Sequence, residues 1–144
     1  MIFGGDRDLA GLYMRELANC VGLRDWHLTF ALTTPQEDGH ADGVGGTCDV
    51  GPMQKRATIR LRADWPEWDD DKLRHIMVHE LLHAHFDPVR TPLANIEQLI
   101  GGLVFSTVWD ATTTAMEWCL DAIATEWAEL LPSPSEWLDS ETKP

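Results

Sequence analysis

Residues 79–83 of this 144-residue chain read His-Glu-Leu-Leu-His. Positions four apart in an α-helix lie on one face about one turn apart, so His79 and His83 can bind the same ion. Glu80 then lies beside that ion, where its carboxylate can act on a bound water. The pattern therefore predicts a helix that carries one metal site, with zinc as the metal.

The residues around this pattern indicate that the helix is buried on most sides. Apolar side chains occur all round the helical wheel, at Leu73, Ile76, Met77, Val78, Leu81, Leu82, Ala84 and Phe86. Burying a polar or charged group without a partner is costly, so two histidines and a glutamate in this setting need compensation. A bound metal compensates all three. The alternative is a pair of core histidines that bond to backbone carbonyls.

The composition excludes several classes of protein. The 11 Lys and Arg against 24 Asp and Glu give a formal net charge of −13, which repels nucleic-acid phosphates and anionic lipid surfaces. No apolar run approaches the roughly 20 residues that span a bilayer, and residues 1–8 lack the features of a secretory signal. Three cysteines, Cys20, Cys48 and Cys119, form no CxxC pair and fit reduced thiols. We therefore expect a cytoplasmic protein that binds neither nucleic acid nor membrane.

The first half of the chain is predicted to contain one helix and a small sheet. Helical spacing and the following Gly22 predict a helix over residues 6–21. Alternating apolar residues predict three strands, at 26–32, 47–50 and 57–61. We expect these strands to form a three-stranded meander. The stretch 33–46, rich in Pro, Gly and Asp, is expected to be a long, mobile loop.

The second half is predicted to be helical. The helix that carries the two histidines begins near Asp69, where acidic side chains favour a helix N-terminus. It is expected to end at Phe86, because the residue before Pro88 is disfavoured in the helical conformation. Two further helices are predicted, over 93–109 with an interruption at Gly101-Gly102, and over 112–131.

The predicted domain covers residues 1–131 and is large enough to bury its own hydrophobic core. Pro132 and Pro134 end the last helix, and residues 132–144 are expected to form a flexible tail. The alternative is that Trp137 anchors this tail over the metal site as a lid or an inhibitor.

A catalytic zinc ion usually takes a third protein ligand and leaves one position for water. The side chains that could supply it are His85, Asp87, Glu117 and Glu126. On its helix, His85 points away from the other two histidines. Glu117 is the best candidate, because it lies on the later helix with Asp121 four residues on, so both carboxylates share one face. The alternative for this pair is an exposed acidic helix face.

These two segments, 79–83 and 117–121, resemble the gluzincin clan of zinc metallopeptidases. The order of elements is similar to that of the compact minigluzincins over most of the chain. The resemblance implies a zincin-like α+β fold. In that fold, the three-stranded meander sheet packs against the N-terminal helix, the HExxH helix and a C-terminal glutamate helix.

The same resemblance assigns roles to the site residues. It implies that His79, His83 and Glu117 bind one catalytic Zn²⁺ and that Asp121 hydrogen-bonds His79. Such a carboxylate fixes the tautomer of the imidazole and makes it a better metal ligand. Glu80 is then the general base, which takes a proton from the water and passes it to the departing amine.

The expected activity is therefore zinc-dependent hydrolysis of peptide bonds, by an endopeptidase rather than an exopeptidase. The strand at 57–61 is expected to pair with an extended peptide or protein substrate. Larger gluzincins use an additional domain to supply a His or Tyr to the developing oxyanion, and no part of this chain matches it. The substitutes available here are His75, Tyr13 and Arg60.

Two other functions fit the same sequence. One is a non-catalytic, zinc-stabilised module that binds another protein through its acidic surface and some of its seven tryptophans. A structural zinc site of that kind has four protein ligands and no exchangeable water. The other is a regulatory protease that is specific for one intracellular protein.

Overall fold

A computed structural model describes residues 2–32 and 45–141, which form an α+β fold with a small mixed sheet. The helices are α1 (Arg7–Cys20), α2 (Asp70–Asn95), α3 (Glu97–Ile100), α4 (Gly102–Leu130) and α5 (Pro134–Glu141). The strands are β1 (His27–Leu32), β2 (Gly46–Gly51) and β3 (Arg56–Leu61). Short 3₁₀ turns occur at Ile2–Gly5, Pro52–Gln54 and Trp65–Glu67. The expected mobile loop at 33–46 lies mostly outside the described residues.

Helix α1 forms where the sequence predicts it. Asp6 caps its N-terminus, since its carboxylate accepts hydrogen bonds from the backbone N–H of Asp8 at 2.8 Å and of Leu9 at 3.2 Å. The helix ends before Gly22, whose φ of 84° lies in the left-handed region that glycine adopts without strain.

The sheet is not the predicted meander. Its strand order is β1-β3-β2, with β1 parallel to β3 and β2 antiparallel to β3. A meander would place the second strand at the centre, but β3 has the most strongly buried alternation, with Ala57, Ile59 and Leu61 almost inaccessible. Central placement of β3 buries that face. The prediction that 57–61 pairs with substrate is therefore wrong, because this strand has a neighbour on both sides.

Helix α2 is the long central helix, and it continues past the predicted end at Phe86. Asp69 caps its N-terminus by accepting a hydrogen bond from Lys72 N at 2.7 Å. The helix then contains both Pro88 and Pro92. Each proline removes one backbone hydrogen bond. The helix nevertheless continues to Asn95 and packs against α4, so the predicted end at Phe86 is wrong.

The helical hairpin after α2 turns at Gly101, with a φ of 77°. The interruption predicted there is confirmed, but the predicted break near residue 111 is wrong. Helix α4 contains no glycine or proline after Gly102, so nothing in its backbone chemistry ends it before Leu130. Glu117 and Asp121 therefore lie on the same uninterrupted helix.

Residues 134–141 form helix α5 instead of the predicted flexible tail. Trp137 is only 8% exposed and packs against Phe3 and Tyr13, with ring centroids 5.9 and 5.7 Å away. The Tyr13 hydroxyl donates a hydrogen bond to the carbonyl of Pro132 at 2.8 Å. The apolar ring that was predicted to lie in a tail is therefore part of the core, and it does not cover the predicted metal site.

The core lies between α1, the sheet and α2. Its fully buried side chains include Tyr13, Leu17, Leu23, Ile59, Leu61, Leu73, Met77, Leu81 and Leu120. Within the described ranges, no helix combines the length and the apolar character that crossing a bilayer requires.

Replacing the ring of α5 tests whether this last helix stabilises the domain. We expect Trp137→Ala to lower the free energy of unfolding by about 3 kcal/mol, because it leaves a cavity among packed aromatic rings. The control is Trp118→Ala, since Trp118 is 74% exposed and should change stability by less than about 0.5 kcal/mol. Urea denaturation measures both. Equal small losses would show that α5 contributes nothing to the core.

Candidate metal centre

Two neighbouring helices place the predicted ligands opposite one another. Helix α2 presents His79 and His83, and α4 presents Glu117. His79 Nε2 lies 3.2 Å from one Glu117 carboxylate oxygen, and His83 Nε2 lies 3.7 Å from the other. All three ligand atoms lie within 4.8 Å of one another. The structure thus brings together the three side chains that the sequence analysis selects.

The spacing of these atoms fits a small divalent ion. Ligand atoms about 2.1 Å from a tetrahedral zinc ion lie about 3.4 Å from each other. The measured separations of 3.2 and 3.7 Å lie on either side of that value. Both imidazoles are mostly buried, whereas Glu117 is half exposed, so the group opens towards solvent on the α4 side.

Asp121 has a different partner from the one that the resemblance implies. Its carboxylate lies 3.0 Å from His75 Nε2 and 3.8 Å from His79 Nδ1. The hydrogen bond from the ring therefore comes from His75, and His79 lies beyond hydrogen-bond distance. The reason is positional: His75 lies one turn before His79 on the same face of α2, where its ring reaches Asp121 first.

Glu80 is the buried acid of the site. Its residue is only 5% exposed, and Oε2 has no hydrogen-bond partner among the described residues. Burial raises the pKa of Glu80 to about 8, and the nearby negative charge of Glu117 adds to the shift. The carboxyl group is therefore held in an environment that favours its protonated form when no cation is bound.

A pair of glycines lets β2 approach this acid. A Cβ on Gly46 would lie 3.0 Å from Glu80 Cγ and 3.0 Å from the carbonyl oxygen of Arg60. A Cβ on Gly45 would lie 2.4 Å from Ile76 Cδ1 on α2. Side chains at these positions would separate β2 from α2. This role was not predicted from the sequence, although a Gly-Gly pair next to a strand indicates a close approach of another element.

A cleft with a volume of about 540 Å³ lies in front of His79, His83 and Glu117, which are called the metal group below. Residues 45–48 at the start of β2 line one side, and α2 and α4 line the other. Cys48 lies on this wall, where burial raises the pKa of its thiol, and it belongs to neither group of described side chains that could hold a metal ion. The cleft therefore places the metal group beside an edge strand.

The protonation state of His83 suits metal binding. Burial lowers its pKa to about 4, and although Glu117 opposes this shift, His79 and Arg90 add to it. The ring is therefore neutral at physiological pH. A neutral imidazole is the form that binds a metal ion.

The other candidate ligands lie apart from the centre. His85 Nε2 is 2.7 Å from the carbonyl oxygen of Val21, to which it donates a hydrogen bond. Its ring is thus bonded to the backbone of another segment and does not belong to the candidate ligand group. Asp87 and Glu126 belong to neither group of potential metal ligands among the described residues.

Of the three candidates for oxyanion stabilisation, only His75 lines the cleft. Tyr13 is buried on the far side of the core, where its hydroxyl bonds to Pro132. Arg60 forms an ion pair with Asp49 and is not part of the cleft wall. Tyr13 and Arg60 are therefore excluded by position.

One cationic residue of the cleft was missed. Arg90 lines the cleft from α2, two turns after His83 on the same face. Because the helix was predicted to end at Phe86, Arg90 was not expected to lie on the same helix face as His83. The signal that could have identified Arg90 is its spacing of seven residues from His83, which applies only if the helix continues through Pro88.

Two groups of described side chains could hold a metal ion: His79, His83 and Glu117, and His75, His79 and Asp121. They share His79, so the two groups form one continuous polar face between α2 and α4. Comparisons with protein-family models, curated proteins and solved structures found no match for this chain.

The raised pKa of Glu80 predicts that the metal-free protein loses stability between pH 6.5 and pH 8. In the unfolded chain this carboxyl titrates near its ordinary value of 4.5 and is ionised across the window, whereas the folded protein keeps the proton up to about pH 8. The free energy of unfolding therefore falls as pH rises, by up to about 2 kcal/mol. The lowered pKa of His83 destabilises the fold only below its ordinary value of 6.5.

Urea midpoints of chelator-treated protein across this window measure the effect. The matched variant is Glu80→Gln, which keeps the shape but cannot ionise, so the downward slope should disappear. A wild-type midpoint that is level or rises over the same window would contradict the assignment.

Proposed function

We propose that this chain is a zinc-dependent peptidase with a zincin-like fold, in which His79, His83 and Glu117 bind one Zn²⁺. The observation that carries the proposal is the convergence of two imidazole nitrogens and a carboxylate at ligand-to-ligand spacing, with Glu117 lying 38 residues after His79 in the sequence. Such an arrangement on a buried helix is costly without a cation between the side chains.

Three ligands and partial exposure favour a catalytic site over a structural one. Structural zinc sites are closed by four protein ligands, whereas catalytic sites keep a position for water. Within residues 2–32 and 45–141, no fourth His, Cys, Asp or Glu joins this group. A bound zinc ion would supply an acidified water and a Lewis acid for the scissile carbonyl.

Glu80 is the residue that moves the proton. Its Oε2 is buried, lacks a partner among the described residues, and lies 3.9 Å from His83 Nε2. A nearby cation favours the ionised carboxylate and so opposes the effect of burial on its pKa. Glu80 Oε2 then accepts a proton from the attacking water and returns it to the departing amine.

Strand β2 supports a peptide as the substrate. It lies at an edge of the sheet, and no other described strand pairs with its outer side. An extended chain can add to such an edge through main-chain hydrogen bonds. Since this pairing needs no free chain end and the strand starts at the cleft, we infer an endopeptidase. Edge strand β2 replaces the central strand β3 in this role.

Replacing Glu80 separates chemistry from metal binding. We expect Glu80→Gln to lower peptide hydrolysis by about 10²- to 10⁴-fold, the usual contribution of a general base, while zinc stays bound. Hydrolysis of a random peptide mixture and zinc content per chain are the two measurements. A variant with full activity would remove Glu80 from the mechanism.

Replacing Glu117 tests the third ligand. We expect Glu117→Ala to lose most of its zinc on dialysis, because a site with only two imidazoles holds the ion weakly. Glu126→Ala is the matched control on the same helix, and it should keep one zinc per chain. Elemental analysis reads both outcomes. Stoichiometric zinc in the Glu117 variant would rule out this coordination set.

A further inference from the structure

Arg90 occupies an unusual position in the cleft. It lies seven residues after His83 on α2, which places its Cα about 10 Å further along the helix axis. Its side chain lines the cleft together with the metal group. The other charged side chains of the described lining are acidic, namely Glu80, Glu117 and Asp121.

A tryptophan holds the Arg90 side chain in place. The guanidinium carbon lies 5.0 Å from the ring centre of Trp109 on α4. Such an arrangement pairs the cation with the electron-rich ring and restricts the plane of the guanidinium. Arg90 is thus fixed between the two helices that also carry the metal ligands.

One hydrogen-bond donor of Arg90 is unused within the described part of the chain. Its Nε is buried and has no acceptor among the described residues. No carboxylate within residues 2–32 and 45–141 forms an ion pair with the guanidinium, although the protein has 24 acidic residues. A desolvated donor without an acceptor is unfavourable. Because Nε is inaccessible, the acceptor of a ligand in the cleft would bond to the terminal nitrogens of the guanidinium and would neutralise its charge.

We propose that Arg90 determines specificity by binding a carboxylate of the substrate. Guanidinium and carboxylate groups match in a planar, two-bond geometry. An axial offset of about 10 Å corresponds to about three residues of an extended peptide, so the carboxylate lies within about three residues of the scissile bond. The substrates are therefore peptides with an Asp or Glu side chain, or a free C-terminus, at that distance. This inference rests on the proposed peptidase function.

Four peptide mixtures separate the two sources of carboxylate. N-acetylated hexapeptides with random central positions are made with or without Asp and Glu, and each with a C-terminal acid or amide. Zinc-loaded wild-type protein should cleave carboxylate-bearing forms with a kcat/KM about 10- to 100-fold higher than the neutral form. Whether the acidic side chain or the free terminus gives the gain identifies the source. Equal kcat/KM for all four mixtures would overturn the role of Arg90 and leave the peptidase function intact.

Variants connect this preference to Arg90. Arg90→Gln should abolish the preference for carboxylate-bearing mixtures, and Arg90→Lys should keep only part of it. Arg56→Gln is the control, since Arg56 is an exposed residue of β3 outside the cleft. An unchanged preference in Arg90→Gln would assign the effect to another group. The wild-type comparison remains valid if a variant fails to fold.

Peptide binding distinguishes failure of this proposal from failure of the peptidase function. Absence of hydrolysis with every mixture by the zinc-loaded wild type counts against the peptidase function. Calorimetry with zinc-loaded Glu80→Gln still tests Arg90, because binding needs no turnover. Tighter binding of carboxylate-bearing mixtures supports the site, and equal affinities overturn it.

Discussion

Helix α2 is buried on most of its circumference and still carries two histidines and a glutamate among its apolar residues. It packs against α1, the sheet, α4 and α5, and Leu73, Met77 and Leu81 are fully inaccessible. Polar groups in such a position need partners. The arrangement of α4 follows from that need, because it places Glu117 opposite both imidazoles. Glu80 receives no such partner, and its pKa rises instead.

The local features of the fold could be read from the sequence because they depend on neighbouring residues. Asp6 and Asp69 cap helices where short polar side chains precede apolar periodicity. The spacing of His79 and His83 is a property of a single helix. Glu117 was selected by its relation to Asp121 on its own helix. Bringing Glu117 to the histidines required only that two apolar helix faces pack together.

The sheet could not be read in the same way. Strand order depends on packing across the whole domain, and β3, with the most strongly buried alternate residues, takes the central position. Strand periodicity reveals which residues face the core, but not which strand is the neighbour. The connection between β1 and β2 is also longer than the two to five residues of a hairpin turn, so its sequence does not fix which strands pair.

Two features of the site were predicted wrongly. Pro88 disfavours a helix locally, yet α2 continues past it, and this continuity brings Arg90 into the cleft. Likewise, the hydrogen bond of Asp121 goes to His75 because the ring one turn earlier is closer. Both features depend on how two helices lie against each other, which no single-helix pattern contains.

The packing of Phe3, Tyr13 and Trp137 joins elements from opposite ends of the described chain. Contacts of such high sequence separation form late, since the intervening chain must be ordered first. During synthesis on the ribosome, the sides of Phe3 and Tyr13 that pack against Trp137 therefore stay uncovered until α5 has emerged.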